Sequence, residues 1–235
     1  MQEFKTTQKD EQEISYMLAG ARKNGIIAAL VMSFSSLLNA MFLFFANNLP
    51  QLTTQKTVGY KQIFSLIAVI ISIYFYYKAL KTISNLSGSN ALRNYQKFIA
   101  SCIFIIALYT TLYFTQASKT TLYAIFALVI IATVFGLTMW LKIHYNLAQI
   151  TENKIFKIYA TSSITALILT IIASIGISVF IFFTYMPNPN EAILMQLKAQ
   201  TYMNISAYVT MLGLNFILLF AWIKVEEINL IPLKA

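Results

Sequence analysis

The sequence predicts an all-α fold: a polytopic membrane protein built as a bundle of six transmembrane helices, with both termini in the cytoplasm. Three observations lead there. Six long apolar runs carry no charged side chain: Gly25–Ala46, Ile63–Tyr77, Phe98–Phe114, Thr121–Leu141, Ile158–Tyr185 and Ile205–Ile223. A charge at the bilayer centre is expensive, so neutral runs of this length read as spanning helices. Apolar residues make up 58% of the 235-residue chain and charged residues only 11%, against about 25% charged in a typical soluble domain. That much apolar surface needs lipid as its solvent. The third observation is the uneven division of Lys and Arg between the connecting segments.

Residues 1–24 come first, a cytoplasmic amphipathic segment with Ile14, Met17, Leu18 and Ala21 at helical spacing. It reads as a helix lying in the cytoplasmic interface rather than as a docking site. With 24 mixed-charge residues ahead of it, the first run is too long and too late for a signal-peptide core and is expected to remain as an anchor. The transmembrane domain occupies 25–223, with spans at about 25–46, 63–80, 98–116, 121–141, 158–185 and 205–223. Residues 224–235 form a cytoplasmic tail.

The second run is the short one. Its 15 residues cover roughly 23 Å of a hydrocarbon core of about 30 Å. Extending it to Leu80, with Lys78 snorkelling and Tyr74, Tyr76 and Tyr77 at the interface, makes up the difference. In the second loop Gly88 suits a helix end and Ser89 or Asn90 a helix start. Gln116–Thr120 is tight and makes the third and fourth spans a hairpin. Thr151-Glu152-Asn153 breaks the fourth loop. Asn188-Pro189-Asn190-Glu191 has the marks of a helix start, continuing through Ile193, Leu194, Leu197 and Tyr202 either on the outer interface or into the sixth span.

Six spans place both termini and the second and fourth loops on one side. That side carries 13 Lys and Arg residues; the other carries four, Lys56, Lys61, Lys119 and Lys198. The positive-inside bias sets both termini in the cytoplasm. The same bias explains the net charge of +9 without nucleic acid: the basic residues sit at helix ends, where anionic headgroups are the expected partners. Even-numbered spans end alike, in Tyr77-Lys78, Trp140-Leu141-Lys142 and Trp222-Ile223-Lys224. Three repeated two-helix units would account for this, and so would the interfacial preferences of aromatic residues and Lys, the reading favoured here.

Chemistry has little to work with. Cys102 is the only cysteine, so no intrachain disulfide or cysteine metal cluster is possible. His144 is the only histidine and reads as an interfacial aromatic at the end of the fourth span. Asp10 is the only aspartate, and no HExxH, GxGxxG or GxxxxGK[ST] pattern occurs. No catalytic residue, cofactor or metal ligand is expected, and the chain reads as no enzyme. The spans hold no Asp, Glu, Lys or Arg, and all four prolines lie outside them. That disfavours both an ion-coupled pump and broken helices.

What the spans do hold is neutral and polar. Ser162, Ala166, Thr170, Ser174 and Ser178 recur every fourth residue along the fifth span, a face on which another helix can approach closely. Ser65, Ala68 and Ser72 in the second span and Thr210 and Gly213 in the sixth are similar contact candidates. Asn39 and Asn215 are the most polar groups within the bilayer. Each needs partners, and they are expected either to join the first and sixth helices or to bond hydroxyls such as Ser35 and Thr210. The function expected is that of a scaffold or accessory subunit acting through helix and lipid contacts, as a homo-oligomer or with a membrane-protein partner. The alternative is a permeation pathway for a small neutral or amphipathic solute along Asn39, Asn215 and the hydroxyl face. Lys, Ile, Phe and Asn usage, with no targeting segment, points to a bacterial cytoplasmic membrane.

Overall fold

The computed structural model describes residues 2–48, 55–114, 118–185 and 189–228, with side chains described over 11–45, 62–112, 118, 120–185 and 190–228. Six α-helices follow one another: α1 (Gln2–Asn48), α2 (Gln55–Ser87), α3 (Ala91–Phe114), α4 (Lys119–Ile150), α5 (Lys154–Tyr185) and α6 (Pro189–Ile223). All six are long and apolar enough to cross a membrane. The cap proposed at Asn188, the loop residues Gln116 and Ala117, and the tail beyond residue 228 lie outside the described residues.

α1 does not break where its polar segment meets the apolar run. One helix passes through Gly25, and Leu18 and Ala21 are buried on the same face as Gly25 and Ala28. The three- and four-residue spacing of these positions continues one packing stripe from the polar part into the apolar part. α6 likewise starts at Pro189, a residue suited to the first helical position, and runs unbroken into the last apolar run. At the start of α4, Ser118 accepts a hydrogen bond from the Thr121 amide at 3.2 Å, an N-cap that satisfies one of the helix's free donors.

Two corners are built alike. α2 ends at Ser87, whose hydroxyl donates to the Ile83 carbonyl at 2.7 Å, and the next residue, Gly88, is left-handed at φ 64°. After α4, the Thr151 hydroxyl donates to the Leu147 carbonyl at 2.7 Å, and Glu152 is left-handed at φ 50°. The following helices are capped by different means. Ser84 Oγ reaches across its corner to accept from the Leu92 amide at 2.9 Å, whereas Asn153 Oδ1 accepts from Ile155 at 3.0 Å.

The chain divides into two compact units. The first comprises Met1–Ala21, Tyr77–Ala160 and Val225–Ala235. Its core holds Leu80, Ile83, Ile143, Leu147 and Phe156, all fully buried. α3 and α4 pack as a hairpin within it, with Ser101 and Phe98 lying over Gly136, where a Cβ would collide with the Ser101 hydroxyl. The second unit comprises Arg22–Tyr76 and Thr161–Lys224. There α1, α2 and α6 meet through Ala28, Ala29, Ser72, Tyr76, Leu218, Ala221 and Trp222, none more than 1% exposed. α5 stands apart in this respect: of its residues from Thr161 to Tyr185, Ile181 alone is buried.

Candidate functional site

The second unit contains the polar groups singled out in the sequence, and four helices, α1, α2, α5 and α6, carry them. Asn39 and Ser36 occupy the inward face of α1, and both are buried. The Asn39 amide donates to the carbonyl of Ser35, one turn back, at 2.9 Å, and its side-chain oxygen accepts from Ser65 of α2 at 3.3 Å. Asn215 of α6 is 2% exposed and donates to Ser36 Oγ at 3.3 Å. Lower down, Ser72 of α2 donates to the Ala28 carbonyl at 2.9 Å, and Ser33 donates to its own helix at Ala29. α1 is thus stitched to α2 and to α6 by neutral hydrogen bonds, as a small-residue face that admits close approach allows.

The two asparagines serve different seams: Asn39 bonds toward α2, and Asn215 toward α1. Thr210 is exposed, and a Cβ built on Gly213 would meet open space, so neither lies on the α1–α6 seam. Of the hydroxyl face of α5, Ser174 donates to Met203 Sδ at 3.5 Å and Ser178 accepts from Gln196 at 3.2 Å, both on α6. Ser162 and Ala166 are half-buried, and Thr170 is exposed with its hydroxyl returned to the Ala166 carbonyl at 2.8 Å. One sequence stripe therefore divides into a part that meets α6 and a part that faces outward. In the second helix Ala68 and Ser72 are buried and Ser65 half-buried.

Among the described residues, no three His, Cys, Asp or Glu side chains gather closely enough to hold a metal ion. No family model, curated protein or solved structure matches the chain. The reading of these groups therefore rests on their own geometry.

The first unit corrects one expectation. His144 is fully buried and is no interfacial side chain. Its ring lies 4.3 Å from that of Trp140 and 4.8 Å from that of Tyr159, with Phe156 at 6.5 Å. Nδ1 lies 2.9 Å from the Trp140 carbonyl; since a carbonyl only accepts, Nδ1 carries the proton. The position falls beyond Leu141 and Lys142, where the helix turns an apolar face to its own unit. In the second unit Tyr76, also expected at an interface, is 1% exposed and meets Trp222 edge-on at 5.9 Å.

Ser36 was not singled out in the sequence, nor was the small-residue face of α1 formed by Ala21, Gly25, Ala29, Ser33, Ser36 and Ala40. Their spacing of three and four was the available signal. Ser36 is indistinguishable from Ser35 in composition, and only the helical phase assigns it to the seam.

Proposed function

We propose that this chain is an integral membrane protein of the bacterial cytoplasmic membrane with both termini in the cytoplasm. On this reading it is no enzyme but a scaffold or accessory subunit acting through helix and lipid contacts. The six long apolar helices and the asymmetry of flanking Lys and Arg support the placement. The observation that carries the functional reading is the use made of Asn39 and Asn215. Both amides are buried and bonded to hydroxyls of neighbouring helices, Ser65 and Ser36. Groups so engaged hold helices in register. On the terminal side, Lys81, Arg93, Lys97, Lys142 and Lys154 are all exposed and suit anionic headgroups.

The alternative, a pathway for a small neutral solute, requires the same amides to line a route. Osmotic swelling of proteoliposomes in isosmotic glycerol or urea separates the two. The scaffold reading expects no swelling above that of protein-free vesicles, and Asn39→Leu and Asn215→Leu variants that still fold. Swelling by the native protein that is lost in folded Asn39→Leu or Asn215→Leu overturns it in favour of a pathway. Co-purification from native membranes then tests for a protein partner or a second copy, with a solitary monomer counting against a scaffold.

A further inference from the structure

We draw no further inference here: the strongest candidate, the outward face of α5 at Thr170, Ala173 and Gly176, is an exposed small-residue stripe, and nothing in the structure shows what covers it.

Discussion

Replacing Gly25 with Ala is a sharp test of how the second unit is packed. A Cβ added at Gly25 would collide with the Trp222 indole at Cδ2, Cε2 and Cε3. That ring is fully buried and held edge-on by Tyr76, so it cannot swing aside cheaply. Overpacking of this kind costs about 1–3 kcal/mol. The substitution also has a favourable side, because Ala is a better helix former than Gly by about 0.8–1.0 kcal/mol. The net change is therefore a loss of between nothing and about 2 kcal/mol. Gly20, on the same helix, supplies the control: its added Cβ meets nothing within 4 Å. Gly20→Ala should gain the propensity term alone, so the difference between the two variants isolates the clash at about 1–3 kcal/mol. SDS titration in mixed micelles, followed by circular dichroism, measures both. In a Trp222→Ala background the penalty at position 25 should vanish, since the colliding ring is gone. Equal behaviour of the two glycine variants, or a penalty that persists without the indole, refutes the packing described.

The other predictions concern the first unit and the polar seams. At the corners, Gly88→Ala should destabilise and Glu152→Gly stabilise, each by about 1 kcal/mol, because only glycine adopts the left-handed conformation freely. Thermal melts that shift in the same direction for both would show that the corners are not equivalent. Each asparagine-to-leucine variant should lose about 0.6–1.7 kcal/mol, the range for interhelical hydrogen bonds in membranes. A loss several times larger would mean that the amide holds more than its seam.

The helices were legible because charge avoidance and helix-ending residues are local properties. Gly88 and the Thr151-Glu152-Asn153 break mark helix ends by their own chemistry, and the structure ends α2 and α4 there. Partnership was less legible. Asn39 had to bond to something, and Ser35 was foreseeable one turn away, but Ser65 depends on how α2 is rotated against α1. The hydroxyl stripe of α5 shows the same limit, since equal spacing does not make Thr170 and Ser174 face the same neighbour. His144 misled for a different reason: its place just past an apolar run resembles an interface, whereas the continuing helix has a core of its own.

The chain's two tryptophans have fallen one to each unit, Trp140 in the first and Trp222 in the second. Trp140 stands in ring contact with His144, and Trp222 is wholly enclosed. The molecule thus carries two native fluorophores whose emission can be read separately once either is changed to phenylalanine. Each unit can then be followed through its own tryptophan, with no label attached.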